Sequence, residues 1–234
     1  MLRRLIERVT HAPSRCEVCR AWPAQPVCED CVARFAQPQP RCRRCALPVP
    51  AGVTECGACT TNPPPLDACH AAVSYAYPWA GLIARYKFQG QPGWAGGFAT
   101  LLRSAPWVEP ALDQAQLVLP MPLSRQRLAE RGFNQALELA KRLAPPHKID
   151  ANLLLRVRDT APQTALDRNE RMANVRDAFA PDPLRVNVVR GANIVLVDDV
   201  MTSGASLFGA ARALRAAGAA RITAVVLART DEPG

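Results

Sequence analysis

"NIVLVDDVMTSGASL", Asn193 to Leu207, is the stretch on which the reading of this chain turns. Ile194 to Val197 have the unbroken apolar texture of a strand buried on both faces. Asp198 and Asp199 stand at its exit, and Thr202 to Ser206 form a turn of small residues into a following helix. In an open parallel sheet, ligands collect where the carboxyl ends of strands lead into helix N-termini. The free N–H donors and partial positive charge of such a terminus favour a phosphate. Gly204 permits close backbone approach, and the hydroxyls of Thr202, Ser203 and Ser206 add donors. Two carboxylates just before a phosphate cradle need a target of their own. A ribose diol fits, because a carboxylate accepts hydrogen bonds from vicinal hydroxyls. The parts describe a sugar 5-phosphate site; the competing reading is an Asp turn that merely caps the helix.

Working outward, strand-like and helix-like segments alternate. "HAAVSYAY" reads as a strand, "PWAGLIARYKF" and "WAGGFATLLRSA" as helices, and "QLVLPMP" as a short strand ending in prolines. "RGFNQALELAKRLA" is the clearest amphipathic helix. "ANLLLRVRD" reads as a strand, "LDRNERMANVRDAF" as a polar helix followed by a short strand, "SLFGAARALRAAG" as a helix stopping at Gly218, and "RITAVVLART" as a final strand. This alternation predicts an α/β fold with a mostly parallel sheet.

"VLVDDVMTSGAS" resembles the phosphoribosyl-pyrophosphate (PRPP) motif of type I phosphoribosyltransferases, with Ser203 where a second Thr is usual. The resemblance implies that Asp198 and Asp199 hold the ribose hydroxyls, as the catalytic pair, and that Met201, Thr202, Ser203, Gly204, Ala205 and Ser206 hold the 5′-phosphate. It implies a second anion site for pyrophosphate after an earlier strand, which places Met121, Pro122, Leu123 and Arg125 there, with Arg127 and Arg131 close by in sequence. Arginine forks match phosphate oxygens, although a solvated basic helix entry would look the same. Pro120 and Pro122 suit an unusual backbone there, a cis bond included. Mg²⁺ accompanies PRPP in such proteins. "PMPLSRQRLAERGFNQAL", "RVRDTAPQTALDRNERMANVRDAF", "YKFQG" and the aspartate motif together resemble the ComF/GntX-like family. That family couples an N-terminal zinc ribbon to a phosphoribosyltransferase-like domain, and its members are associated with DNA uptake in natural competence or with gluconate utilisation. In this light Arg156, Arg158, Gln163 and Arg171, with Thr160 and Asn174, occupy the place of a loop that closes over PRPP. The expected partners are PRPP, single-stranded DNA and proteins of the competence machinery. A non-catalytic single-stranded DNA adaptor using the same fold is the alternative. Lys87, in "YKFQG", reads equally as a phosphate contact and as a helix residue whose stem covers the core.

Eight of the nine cysteines form CxxC pairs before residue 60: Cys16/Cys19, Cys28/Cys31, Cys42/Cys45 and Cys56/Cys59. Each pair puts two thiolates on one turn, and two turns close a tetrahedral zinc site. The spacers of 8 residues between the first two pairs and 10 between the last two favour sequential sites, with pairing across the module as the other arrangement. Ligation by cysteines alone makes the expected two zinc ions structural. Residues 1–66 are read as this module and 67–234 as the phosphoribosyltransferase-like domain, divided at the proline-rich "TTNPPPLD". Cys69 reads as a small buried hydrophobe.

The 234 residues are 49% hydrophobic and contain no apolar run long enough to span a membrane, so no membrane insertion is expected. The N-terminus lacks the apolar region of a secretory signal, which predicts a cytoplasmic protein. The net charge of +9 divides into an excess of +4 over residues 1–66 and +5 over 121–190. Zinc bound by four thiolates is formally doubly negative, so two such sites neutralise the first excess. The basic surplus then sits in the middle of the chain. Arg41, Arg43 and Arg44 around Cys42, with Trp22 and Phe35, would be the module's means of touching nucleic acid.

Overall fold

A computed structural model describes residues 15–22, 25–158 and 178–231. The chain forms two compact units, 1–37 and 38–234. In the first unit, helix α1 (Glu29–Phe35) starts directly after Cys28, whose extended backbone delivers the chain into the helix, and it buries Cys31.

The second unit opens with the second group of paired cysteines, and a short helix α2 (Gly57–Thr61) follows Cys56 in the same manner. The elements that carry the site come next: β1 (Ala68–Ser74), α3 (Trp79–Phe88), α4 (Trp94–Ser104), α5 (Val108–Gln114), β2 (Leu117–Pro120), α6 (Arg125–Arg131), α7 (Gln135–Leu143), β3 (Leu154–Arg156), β4 (Phe179–Pro181), β5 (Asn193–Met201), α8 (Ala205–Ala216) and β6 (Arg221–Arg229). The main sheet runs β1-β6-β5-β2 with every pairing parallel. A parallel sheet is covered on both faces, and accordingly β6 is buried from Ile222 to Arg229. Ile194, Leu196, Ile222, Ala224 and Val226 pack with Leu207, Ala210, Ala211 and Leu214 of α8. Helices α4 and α7 pack on each other and on the sheet.

Several local expectations change. "ANLLLRVRD" yields only Leu154–Arg156, paired antiparallel with β4 in a separate two-stranded ribbon outside the main sheet. The amphipathic helix begins at Gln135 and not at Arg131. Gly132, left-handed at φ 77°, ends the separate helix α6, and the Asn134 side chain caps α7 by accepting from the Leu137 N–H. Helix α5 falls in a segment with no clear periodicity. Pro120 and Pro122 carry no cis bond; the cis peptide among the described residues is Tyr77–Pro78.

The change of texture at residue 66 lies inside the second unit. Cys42, Cys45, Cys56 and Cys59 share one hydrophobic cluster with Leu66, Cys69 and Leu196. Arg229, buried at the end of β6, donates from Nε to the Cys45 carbonyl at 2.9 Å and from Nη1 to the Met201 carbonyl at 3.3 Å. The guanidinium thus joins the second cysteine group to the end of β5.

Candidate functional site

The sulfur atoms of Cys16, Cys19, Cys28 and Cys31 lie within 4.8 Å of one another, as do those of Cys42, Cys45, Cys56 and Cys59. Sequential pairing is therefore the arrangement adopted. Sulfurs around a tetrahedral zinc, with bonds of about 2.3 Å, stand roughly 3.8 Å apart. The Sγ separations of 3.8 Å for Cys16/Cys31, 3.6 Å for Cys19/Cys28 and 3.7 Å for Cys45/Cys56 match that edge. The N–H groups of Val18 and Cys28 point at the Cys16 sulfur, each at 3.4 Å, as donors that stabilise a thiolate. Both clusters can hold zinc. Cys69 is excluded from them: fully buried, its sulfhydryl lies 3.6 Å from the Met201 sulfur, and burial pushes its thiol up to about 12.

The arginines around Cys42 each have a partner within the chain, and Arg43 stays exposed. Arg43 and Arg44 converge on Glu55 at 2.6 and 3.0 Å, and Arg41 donates to the Ala46 carbonyl and to the Ser74 hydroxyl. Trp22 is 62% exposed, whereas the Phe35 ring lies 5.2 Å from the Arg34 guanidinium.

The carboxyl ends of the strands open into a cleft of ≈ 270 Å³. Asp198 and Asp199 belong to β5, which continues to Met201 instead of stopping at Val197. Neighbours on a strand point to opposite faces, so the two carboxylates have different surroundings. Asp199 is buried, its Oδ1 3.1 Å from the Lys87 ammonium of α3, and its Oδ2 has no hydrogen-bond partner among the described residues. Asp198 stays half-buried; burial, and then the charge of Asp199, push its carboxyl up to about 7, with Lys87 opposing.

Met201 to Ser206 form the wall after the acids, and all six residues line the cleft. Gly204 is left-handed at φ 80°, and a Cβ placed there would stand 2.6 Å from Met201 Cε and 2.7 Å from Phe208 Cζ. Only glycine allows the chain to turn here and aim the start of α8 into the cleft. Thr202 is exposed, whereas the buried Ser203 hydroxyl accepts from the Ala205 N–H.

The opposite wall follows β2. Met121, Pro122 and Leu123 line it, with Asn134 donating to the Met121 carbonyl at 3.0 Å. Ser124 caps α6 by accepting from the Arg127 N–H. Arg125, first residue of α6, is exposed and lies outside the lining, while Arg127 and Arg131 line the cleft. The register of α6 explains this, since residues two apart on a helix do not share a face. Arg131 lies 5.0 Å over the Phe88 ring and donates to Gln135 Oε1 at 3.0 Å. Gln135 is buried, and its Nε2 has no partner among the described residues. Arg156 also lines the cleft, its guanidinium 5.5 Å over the Phe179 ring; Arg158 is exposed. Gln163 and Arg171, with Thr160 and Asn174, lie outside the described residues.

Sequence reasoning did not find Asn134, Gln135 or Tyr75 as cleft residues, and it left Lys87 undecided. An Asn before an amphipathic run signals a cap, and only the packed fold shows that the same side chain holds the β2 loop.

With its parallel sheet, twin acids and glycine turn, the second unit has the architecture of a phosphoribosyltransferase-type domain. The sequence model of the phosphoribosyl transferase domain matches residues 128–233. DNA utilization protein YhgH of Salmonella typhimurium is 31% identical over 229 residues, covering 93% of this chain and 98% of that protein. Competence protein F of Haemophilus influenzae is 31% identical over 195 residues, 81% of this chain and 85% of its own length. Competence protein ComFC of Bacillus subtilis is 32% identical over 151 residues, 63% of this chain and 58% of that one. The chain belongs to the ComF/GntX-like family, and no helix among the described residues is long and apolar enough to cross a membrane.

Proposed function

We propose that this chain binds the magnesium complex of PRPP in the cleft at the end of β5, and that it serves the handling of incoming DNA. One observation carries the first part. The cleft holds a buried carboxylate oxygen, Asp199 Oδ2, and a buried amide donor, Gln135 Nε2, neither with a partner among the described residues, beside a glycine-turned helix start. A buried polar group without a partner costs roughly 1–3 kcal/mol, so both groups favour a ligand rich in hydroxyls and anionic oxygens.

In this reading the ribose diol donates to Asp198 and Asp199, and the loop Thr202 to Ser206 receives the 5′-phosphate. Pyrophosphate lies between Met121–Leu123 and the guanidinium groups of Arg127 and Arg131. Carboxylate acceptors, amide and hydroxyl donors and cationic side chains are what this requires, and all of them line the cleft. Magnesium, when bound, adds charge neutralisation on the pyrophosphate oxygens. The link to DNA rests on the names of the relatives, which include DNA utilization and competence proteins.

Calorimetric titration of PRPP, with and without Mg²⁺, into the zinc-loaded chain tests the reading. The expected result is magnesium-dependent binding that disappears when Asp198 and Asp199 are both changed to Asn. Absence of binding by the folded wild type would refute it.

A further inference from the structure

The segment Tyr86-Lys87-Phe88 closes α3 beside the cleft, and each of its side chains has a separate task. Tyr86 is wholly buried, donates its hydroxyl to the Gln135 carbonyl at 2.8 Å, and meets the rings of Phe98 and Phe133 at 5.5 Å. This anchor fixes the rotation of the last turn of α3 against α7. Phe88 projects outward and lies under the Arg131 guanidinium. Lys87, between them, enters the cleft with its side chain only 16% exposed, and its ammonium meets Asp199 Oδ1 at 3.1 Å. The residues on either side of Lys87 therefore position two of the cations lining the cleft.

A buried ion pair is a poor device for stability alone, because the desolvation cost of both charges offsets their attraction. Here the acid retains an unpartnered oxygen, Asp199 Oδ2, in the same cleft. A ligand hydroxyl can engage that oxygen without breaking the pair. The 2-hydroxyl of a ribose sits on the carbon next to C1, so an ammonium 3.1 Å from a carboxylate that reads the diol is within reach of whatever C1 carries.

We propose that Lys87 is the residue by which this cleft distinguishes a sugar phosphate bearing an anionic group at C1 from one bearing a neutral hydroxyl. The inference rests on the PRPP reading. Lys87 neutralises Asp199 through Oδ1 in the structure, the diol engages the open Oδ2, and an anionic C1 substituent gives the ammonium a second anion to meet. A neutral C1 hydroxyl offers no such second charge. Residues 86–88 lie outside the matched domain segment, which starts at residue 128, so the assignment comes from the ion pair and the anchoring of α3.

The test compares three ligands in the presence of Mg²⁺: PRPP, ribose 5-phosphate and inorganic pyrophosphate. They are titrated into the full zinc-loaded chain as wild type, Lys87→Met, Lys87→Arg and the double variant Lys87→Met/Asp199→Asn. The double variant removes both charges, so it remains informative should Lys87→Met fail to fold. Lys87→Met is expected to weaken PRPP and pyrophosphate roughly 10- to 100-fold, the scale of a hydrogen bond to a charged group. Ribose 5-phosphate should change less than about threefold on that scale, and Lys87→Arg should restore most of the PRPP affinity. Should only the double variant fold, it is expected to weaken pyrophosphate as Lys87→Met would. Equal losses for PRPP and ribose 5-phosphate would mean that Lys87 acts only by orienting Asp199, and unchanged binding would leave it a structural ion pair; either result overturns the proposal. A wild type that binds none of the three overturns the PRPP reading itself, and this proposal with it.

Discussion

At the scale of single residues, the two acids of β5 have unequal surroundings, and Asp198 gives the chain a dependence on pH. Asp198 has its carboxyl pushed up to about 7 by burial and by its neighbour's charge. Its unfolded value is near 4. Between those values the native state holds a proton that the unfolded chain has released, so stability falls as pH rises through that window. Unfolding free energies from urea titrations at pH 5 and pH 8 should show this fall, about 2–3 kcal/mol at most, and Asp198→Asn should flatten it. On the PRPP reading, the Asp198 carboxylate accepts from the ribose diol, so binding should strengthen over the same rise in pH. Gly204 is the second decisive residue. Gly204→Ala would force a side chain into a left-handed backbone and within 2.6 Å of Met201 Cε. It should destabilise the fold by about 1–3 kcal/mol in denaturant unfolding, and abolish PRPP binding even where the variant remains folded.

At the scale of elements, the contact that matters most is the one between the end of β6 and the second cysteine group. Arg229 is 3% exposed and serves the carbonyls of Cys45, Met201 and Thr230. Its fork spans two chain segments, a geometry that the point charge of a lysine cannot reproduce. Arg229→Ala should cost about 3 kcal/mol by leaving buried carbonyls unpaired, and Arg229→Lys should recover less than half of that loss. Because Met201 opens the turn proposed to receive the 5′-phosphate, both variants should also weaken PRPP in the same titration.

At the scale of the whole molecule, the second cysteine cluster differs from the first in what packs around it. Cys42, Cys45, Cys56 and Cys59 stand in the hydrophobic cluster that includes the sheet and α8. Replacing Cys42 and Cys45 by Ser should lower the zinc content from two ions to one per chain, measured by mass spectrometry under native conditions. It should also reduce the thermal midpoint of the unit 38–234. Each kcal/mol lost lowers the midpoint of a domain of this size by about 2–4 °C, and a structural zinc contributes several kcal/mol.

The α/β class, the buried strand Ile194–Val197, the glycine turn and the eight paired cysteines were legible in the sequence because each rests on local chemistry. Apolar runs, a residue tolerating positive φ and CxxC spacing declare themselves within a few positions. Sulfur spacing even favoured sequential zinc clusters, since a short loop is the cheaper one to close. Other features were decided by contacts between distant segments. Arg127 and Arg131 turn into the cleft while Arg125 does not, because the Ser124 cap sets the rotation of α6. Lys87 reaches Asp199 across 112 positions only because Tyr86 locks α3 onto α7. The partners of the arginines around Cys42, namely Glu55, Ala46 and Ser74, likewise come from other segments of the chain. A charge in a sequence has no partner until the fold supplies one, so the sequence by itself determined the main strands and helices and the chemistry available, and the tertiary structure decided the β3–β4 ribbon, the bounds of α6 and α7 and which groups face the cleft.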